Sequence, residues 1–253
     1  MDAVQVIAIE GLPLSKEDDN IGQLIVNATK KQKIQLQEKD IIVVTHVFVS
    51  KAEGTVVNLD TITPSEQANE IAKQTNKDPA LVEIILQEAK EIVKVGPNSI
   101  ITETKSGTIS ANSGVDHSNV SGERNVVPLP KNPNKSAQTI RAEIKRLTGI
   151  DVAVIVSDTH GRPFRVGEIN VAIGVAGIKP IRDRRGEKDL FGYTLCVKQT
   201  AIADELASAA ELVMGQANEG IPAAIIRGYT VYQTAENVST TELIRAKEKD
   251  LFR

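Results

Sequence analysis

Cysteine is almost absent from the sequence, which has one residue of this type, Cys196, among 253. A lone cysteine excludes a disulfide and a cysteine-ligated zinc site within one chain, and it suits a reducing compartment. The three histidines are too few for a typical zinc enzyme, and no His-Glu-x-x-His motif occurs. We expect Cys196, which lies in an apolar context, to be an inert core residue.

Aromatic residues are also scarce, at 3% of the chain with no tryptophan. This scarcity argues against the stacked aromatic platforms that bind single-stranded nucleic acid. The formal net charge of -3 provides no general basic surface for a nucleic-acid backbone. We therefore expect no nucleic-acid partner.

Long apolar runs are missing, since no stretch approaches the roughly 20 residues that span a bilayer. The first six residues lack both the basic region and the long apolar stretch of a signal peptide. We expect a cytoplasmic protein without a membrane partner. A length of 253 residues with 41% hydrophobic residues is enough for one large domain or two small ones.

Several motifs that define common enzyme classes do not occur. The sequence has no Gly-x-x-x-x-Gly-Lys-Ser/Thr, so a P-loop is excluded. It has no Gly-x-Gly-x-x-Gly between a strand and a helix, which removes support for a dinucleotide-binding fold. The serine-hydrolase elbow Gly-x-Ser-x-Gly is absent as well.

The pattern of apolar residues predicts a mixture of strands and helices. Strands are predicted near residues 4–9, 40–49, 55–59, 92–95, 99–102, 107–111, 151–156, 168–174 and 223–228. Helices are predicted over residues 21–30, 64–73, from 78 onward, 137–147, 200–214 and 240–249. Residues 121–137 look like a loop, and they are a candidate subdomain boundary. The charged run 179–189 fits a solvated face, a mobile lid or a patch for an anionic substrate.

The most informative stretch is Ser157-Asp-Thr-His-Gly-Arg162, which follows a short apolar run. A strand that ends here would place Asp158 in a turn at a sheet edge, with Arg162 and Arg165 within reach. A surface turn with solvated charges is the alternative. A second stretch, residues 112–119, has the same character, because Asp116 precedes a histidine after a strand-like segment.

The polar loops together offer hard oxygen ligands of the kind that Mg²⁺ or Mn²⁺ prefers. These candidate ligands are Asp116, Asn119, Asp158, Thr159 and Gln216. Lys51 and the two arginines could neutralise phosphates, and the glycine-bearing loops 11–15 and 215–222 could line a nucleotide. The residues alone thus indicate a metal- and phosphate-handling enzyme, with a non-catalytic fold as the alternative.

Six short motifs follow one another along the chain and carry a family resemblance. They are Glu10-Gly-Leu-Pro-Leu14, Val49-Ser-Lys-Ala-Glu-Gly54, Asn112-Ser-Gly-Val-Asp-His-Ser-Asn119, Ser157-Asp-Thr-His-Gly-Arg162, Lys188-Asp-Leu-Phe-Gly192, and Met214-Gly-Gln with Gly220-Ile-Pro222. Together they resemble the coenzyme F420-0:L-glutamate ligases over nearly the whole chain. The resemblance implies an α+β fold with a mostly antiparallel sheet, flanking helices and two intertwined subdomains. It also implies a single gamma-glutamyl ligase domain over residues 1–253 and a homodimer.

The activity implied by this resemblance is a GTP-dependent ligation of L-glutamate to F420-0. An acyl phosphate would form first, and the amine of glutamate would displace phosphate to give an amide, with a γ-linked second glutamate as a later addition. Two divalent ions, Mg²⁺ or Mn²⁺, are implied, and K⁺ is a further candidate. Two alternatives stay open: a non-catalytic nucleotide- or deazaflavin-binding homologue, and a divalent-metal phosphohydrolase. No residue near the two aspartates looks like a water-activating base, which argues against the hydrolase.

The resemblance also implies roles for individual residues. Asp116, Asp158 and Lys51 would be catalytic, and the metal positions would be Asp116, Asp158, Thr159 and Gln216. The nucleotide-binding positions would be Leu12, Pro13, Leu14, Ser15, His46, Lys51, Asn119, Gly215, Gln216, Ala217, Asn218, Glu219, Gly220, Ile221 and Pro222. Some relatives have Glu in place of Gln216. Because a neutral amide binds a divalent cation less strongly than a carboxylate, metal affinity and metal choice are open at this position.

Overall fold

The computed structural model describes residues 3–232 and 234–251. Its strands are β1 (Gln5–Ala8), β2 (Ile41–Thr45), β3 (Val57–Asn58), β4 (Ala89–Gly96), β5 (Ser99–Thr104), β6 (Ile109–Ala111), β7 (Asn125–Val126), β8 (Ala153–Arg162), β9 (Arg165–Ala176), β10 (Arg182–Asp183), β11 (Gln199–Thr200) and β12 (Ala223–Arg227). Its α-helices are α1 (Ile21–Lys31), α2 (His46–Ala52), α3 (Glu66–Thr75), α4 (Pro79–Glu88), α5 (Pro133–Thr148) and α6 (Ile202–Met214). The predicted α+β class with mostly antiparallel sheets is confirmed. No helix in this part of the chain is both long and apolar enough to cross a bilayer.

The largest sheet has five strands in the order β1-β12-β2-β8-β9. Its central pair, β2 and β8, is parallel, with Val43 opposite Ile155, and the other neighbours are antiparallel. Strand β2 and the first half of β8 are continuous apolar runs, as expected for segments that are covered on both faces.

The two faces of this sheet contact different helices because side chains alternate along a strand. Ile42 and Val44 belong to a buried cluster with residues of α1, α2 and α5. Ile41 and Val43 belong to the opposite cluster, which is covered by α6. Burying one such aliphatic side chain stabilises the fold by about 1.5–3 kcal/mol, so these two layers are the main source of stability.

The predicted strand over residues 40–49 is wrong in its second half. The strand ends at Thr45, and α2 begins directly with His46. The apolar side chains Phe48, Val49 and Ala52 are spaced for one helix face and pack into the cluster beneath. A short apolar run does not separate strand from helix by periodicity, and here tertiary packing decides.

The predicted turn at residues 157–165 is also wrong, because β8 continues through it to Arg162. Thr159 lies opposite Asn170 of β9, and Arg162 lies opposite Arg165. The chain reverses at Pro163 and Phe164, and Phe164 has φ of 63°. Asp158 is therefore a strand residue that is 8% exposed, and it does not lie in a surface turn.

A smaller unit precedes this hairpin in the chain. Strands β4, β5 and β6 form an antiparallel sheet, and α3 and α4 pack on it around Ile71, Val82, Ile85 and Ile100. Strands β3 and β7 form a separate pair. A 3₁₀ turn at Asn112–Gly114 leads from β6 toward Asp116.

Three further expectations need correction. Residues 121–137 are not all loop, since they contain β7 and the start of α5, where Asn132 accepts the backbone N–H of Lys135. The helix predicted over 240–249 is two 3₁₀ turns, at Thr240–Leu243 and Lys247–Lys249. Cys196 is exposed and is not a core residue. The single-domain assignment and its boundary near 121–137 remain predictions.

We predict that Gly174→Ala destabilises the protein. Gly174 lies in β9 against the start of α5, where an added Cβ would be 2.3 Å from the carbonyl carbon of Pro133. Relieving that overlap should lower the free energy of unfolding by about 1–3 kcal/mol or more. Urea denaturation followed by circular dichroism measures the change. Gly161→Ala in the adjacent strand is the control, because its Cβ would meet nothing within 4 Å. Equal stability of the two variants would contradict the packing.

Candidate active site

One cavity lies at the edge of the five-stranded sheet where β2 ends. Strands β1, β2 and β8 run in the same direction, so the segments that follow β1 and β2 reach this edge together with the outer half of β8. Strand β12 runs the other way, so the loop that precedes it lies here too, and the backbone N–H of Thr45 donates to Pro222 O at 2.9 Å. The topology thereby brings together segments that are far apart in the sequence.

Asp158 is the buried carboxylate of this cavity. Its Oδ1 accepts the backbone N–H of Thr159 at 2.8 Å and lies 3.2 Å from His46 Nε2, while its Oδ2 lies 3.0 Å from His160 Nε2. Burial alone would raise the pKa of Asp158, but the two imidazoles outweigh burial and lower the pKa below its usual value. Asp158 is therefore ionised at neutral pH.

His46 is the first residue of α2, and its side chain is buried in the wall of the cavity. Burial favours the neutral imidazole, yet the carboxylates of Asp158 and Asp116 together outweigh burial and raise the pKa of His46. Within the described residues, His46 Nδ1 has no hydrogen-bond partner. Imidazoles therefore flank Asp158 on two sides, and the expectation that no residue there activates a water molecule stays a prediction.

Asp116 reaches the same cavity from the smaller unit. Its backbone forms a bridge with Val127, and its carboxylate accepts the backbone N–H of Ser118 at 2.7 Å and the hydroxyl of Ser118 at 3.0 Å. The loop then turns through Asn119, whose carbonyl accepts Lys51 Nζ at 3.2 Å. Partial burial lowers the pKa of Lys51. A carboxylate and an amine from distant segments thus converge here.

Thr159 and Gln216 also line the cavity, and two residues that sequence reasoning missed support them. The Thr159 hydroxyl donates to Asn170 Oδ1 at 2.9 Å, and Gln216 Nε2 donates to the same oxygen at 3.4 Å. Gln216 Nε2 also donates to Glu211 Oε1. In the sequence, the feature that could have identified Asn170 is a single amide side chain within the predicted apolar strand 168–174. Glu211 lies in the predicted helix 200–214 and had no signal of its own.

The structure places most of the predicted nucleotide-binding residues in the cavity wall. Those that line it are Leu12, Pro13, Leu14, His46, Lys51, Asn119, Gly215, Gln216, Ala217, Glu219, Gly220, Ile221 and Pro222. Ser15 and Asn218 do not line it, so their role in binding remains a prediction. Arg162 and Arg165 also lie outside, toward the tip of the β8–β9 hairpin.

The donor set of the cavity fits a hard divalent cation that is shared with phosphates. In the part of the chain that the structure describes, no three His, Cys, Asp or Glu side chains group as a metal site. Two carboxylates, a hydroxyl and an amide oxygen are instead the protein ligands typical of Mg²⁺, which takes its remaining oxygens from phosphates and water. Asp158 uses three of the roughly four acceptor positions of a carboxylate, which leaves room for a cation.

Comparison with known proteins gives one consistent family. Residues 11–228 match the family described as F420-0:Gamma-glutamyl ligase. A protein of Methanocaldococcus jannaschii named Coenzyme F420:L-glutamate ligase is 52% identical over 252 residues, covering 99% of this chain and 97% of that protein. Proteins of the same name from Methanothermobacter thermautotrophicus and Methanopyrus kandleri are 48% and 43% identical, and each alignment covers at least 99% of both chains.

We predict that the two aspartates differ in their effect on stability. Asp158→Asn puts an amide among three hydrogen-bond donors in a buried position, so the free energy of unfolding should fall by about 1–3 kcal/mol. Asp116→Asn is less buried and keeps an oxygen for the Ser118 N–H, so its stability should stay near wild type. Urea denaturation at neutral pH without added metal measures both. Equal losses would show that Asp158 is not the buried, multiply bonded carboxylate.

Proposed function

Because the chain belongs to the F420-0:gamma-glutamyl ligase family, we propose that it joins L-glutamate to coenzyme F420-0 through an amide bond. The observation that carries this proposal is the cavity in which five of the six motifs converge, all but Lys188–Gly192. Relatives that carry the ligase name align over nearly the whole of this chain. These alignments cover 97–99% of the two relatives.

GTP is the proposed source of phosphate for this ligation. The loops at residues 12–14 and 214–222 contribute backbone and glycine positions to the cavity wall, where a nucleotide can approach closely. Gly215 has φ of 64°, a conformation that glycine adopts without steric cost, and the Ala217 N–H is fixed by Glu219 Oε2 at 2.8 Å. Lys51 supplies a positive charge in the same cavity wall, suited to a phosphate oxygen.

The proposed chemistry needs no protein nucleophile. The carboxylate of F420-0 would accept the γ-phosphoryl group of GTP and release GDP. The amine of glutamate would then lose a proton and displace inorganic phosphate from the acyl phosphate. Asp116, Asp158, Thr159 and Gln216 would hold the divalent ions, for which Mg²⁺ and Mn²⁺ are the candidates, and K⁺ is a candidate for a further cation. The ions supply charge neutralisation for the transferring phosphoryl group. The work of the chain is to orient the reactants and to exclude water.

Direct ligation is the test of this proposal. The protein is incubated with GTP, Mg²⁺ or Mn²⁺, L-glutamate and F420-0, and the product is examined by mass spectrometry. A mass gain of one glutamyl unit is expected, and a second gain would reveal a γ-linked glutamate. Binding of GTP and F420-0 without any mass gain would favour a non-catalytic homologue.

A phosphohydrolase is the second candidate, because His46 and His160 flank the buried Asp158. Both imidazoles direct Nε2 to the carboxylate, and His160 does not line the cavity. Neither is therefore placed to activate a water molecule there.

We predict that phosphate release requires both carboxylate substrates. GTP turnover is measured with metal alone, with each substrate separately and with both together. Release should be fast only when L-glutamate and F420-0 are both present. Fast hydrolysis with GTP and metal alone would favour the phosphohydrolase.

We predict that Lys51→Ala weakens GTP binding by tenfold or more, while binding of F420-0 changes less. The reason is that Lys51 Nζ is a partly buried positive charge in the cavity wall. Titration calorimetry measures both ligands. Lys31→Ala, at the exposed end of α1, is the charge-matched control and should bind GTP as the wild type does. Unchanged GTP affinity of Lys51→Ala would make Lys51 a surface charge only.

The proposed active form is a homodimer. Segment 182–200 and the β8–β9 hairpin tip carry large apolar side chains that are almost fully exposed in one chain, namely Phe164 (90%), Val166 (100%), Leu190 (98%), Phe191 (96%) and Val197 (87%). Patches of this kind usually mark protein interfaces.

We predict that Leu190→Glu together with Phe191→Glu shifts the protein from dimer to monomer, because charged side chains would replace the apolar contact. Light scattering after size-exclusion chromatography measures the mass in solution. Leu212→Glu, an exposed position on α6, is the control and should remain dimeric. A wild-type monomer would contradict the proposal.

A further inference from the structure

Asn170, Glu211 and Gln216 form a closed ring of hydrogen bonds beside the cavity. The backbone N–H of Asn170 donates to Glu211 Oε2 at 3.0 Å. Gln216 Nε2 donates to Glu211 Oε1 and to Asn170 Oδ1. The Thr159 hydroxyl joins the ring from outside by donating to the same Asn170 Oδ1 at 2.9 Å. Each donor in the ring faces an acceptor, so the ring is chemically complete.

The hydrogen bonds of the ring determine which atoms of Gln216 and Thr159 are left free to bind a ligand in the cavity. A glutamine amide has one nitrogen and one oxygen, and both neighbours of its nitrogen here are acceptors. The amide is thereby oriented, and its oxygen takes no part in the ring. The single hydroxyl hydrogen of Thr159 is likewise committed to Asn170, which leaves only lone pairs. Both residues line the cavity, so each offers it an oxygen acceptor.

We propose that Glu211 and Asn170 are positioning residues that orient the oxygens of Gln216 and Thr159 toward a divalent cation in this cavity. The inference rests on the cation of the proposed function. Neither residue touches the cation. Glu211 acts through Gln216, and Asn170 acts through both ligands, as partners behind a metal ligand commonly do.

A purely structural role for Glu211 is the competing explanation. Strand β9 is an edge strand, and α6 covers its unpaired backbone groups with polar side chains. Asp204 Oδ1 accepts the N–H of Ala172 at 2.9 Å, and Ser208 Oγ donates to Asn170 O at 2.7 Å. Glu211 Oε2 likewise accepts the backbone N–H of Asn170. Coverage of the strand edge does not explain the contact of Glu211 Oε1, which accepts Nε2 of Gln216 in the cavity wall. Asp204 is therefore a matched control for Glu211, because both carboxylates lie on α6 and accept backbone N–H groups of β9.

Mn²⁺ binding to the full-length protein tests the inference by titration calorimetry without nucleotide or substrates. Glu211→Gln leaves one acceptor oxygen for two donors, the Asn170 N–H and Gln216 Nε2, so the ring that orients Gln216 can no longer close. Mn²⁺ affinity should fall by about tenfold to a hundredfold. Asp204→Asn, the matched carboxylate change, should retain wild-type Mn²⁺ affinity even if its thermal stability falls. Asn170→Ser removes Oδ1 but keeps the N–H that Glu211 accepts, so it should weaken Mn²⁺ binding without uncovering the edge.

A double-mutant cycle separates positioning from structure. If Glu211 acts through Gln216, Glu211→Gln should have no further effect in a Gln216→Ala background. Additive losses, or wild-type Mn²⁺ affinity of Glu211→Gln, would overturn the inference. If Glu211→Gln does not fold by thermal melting, wild-type affinity of Asn170→Ser overturns it instead. A wild-type protein that binds no Mn²⁺ overturns both this inference and the cation of the proposed function, whereas the ligation assay tests the activity separately.

Discussion

The parallel pairing of β2 with β8 is the constraint on which the rest of the structure depends. Two apolar strands that are covered on both faces must lie in the middle of a sheet, and their shared direction brings Thr45 and Ser157 to the same edge. The strands on either side then add their own connections at that edge. The cavity follows from this arrangement, since most segments that line it follow, precede or extend a strand of this sheet, and only the Asp116–Asn119 segment comes from the smaller unit.

A buried carboxylate costs free energy unless it is paired and hydrogen-bonded. Asp158 meets that condition through the Thr159 N–H and two imidazoles, yet an apolar residue at this position would fold with less difficulty. The retention of such a group in the wall of a cavity fits a functional role, because a preorganised anion can attract a cation. His46 provides the counterpart from α2, so the turn from β2 into that helix matters for the electrostatics as well as for packing.

Helix α6 covers both a face and an edge of the five-stranded sheet. Its apolar face covers one side of the sheet, and its polar side chains cover the free edge of β9. An uncovered edge would expose unpaired backbone groups to other chains. Since Glu211 lies at the end of this row beside Gln216, the covered edge and the cavity wall share one hydrogen-bond system. Stability and site geometry are therefore coupled in this region.

The sequence by itself determined the mixture of helices and strands, most of these elements, and five of the motifs that converge in the cavity, and its family resemblance implied the α+β class. Apolar periodicity and helix caps such as Asn20 are local features, so they can be recognised in the sequence without knowledge of the fold. The sequence predicted a strand for residues 46–49 and a turn at Asp158, and both predictions are wrong. A short apolar or polar stretch takes its conformation from the residues that it packs against. Only the tertiary structure decided that two imidazoles flank Asp158 and that Asn170 and Glu211 support Thr159 and Gln216. Those contacts join residues of different strands, helices and loops, and no local pattern records such distances.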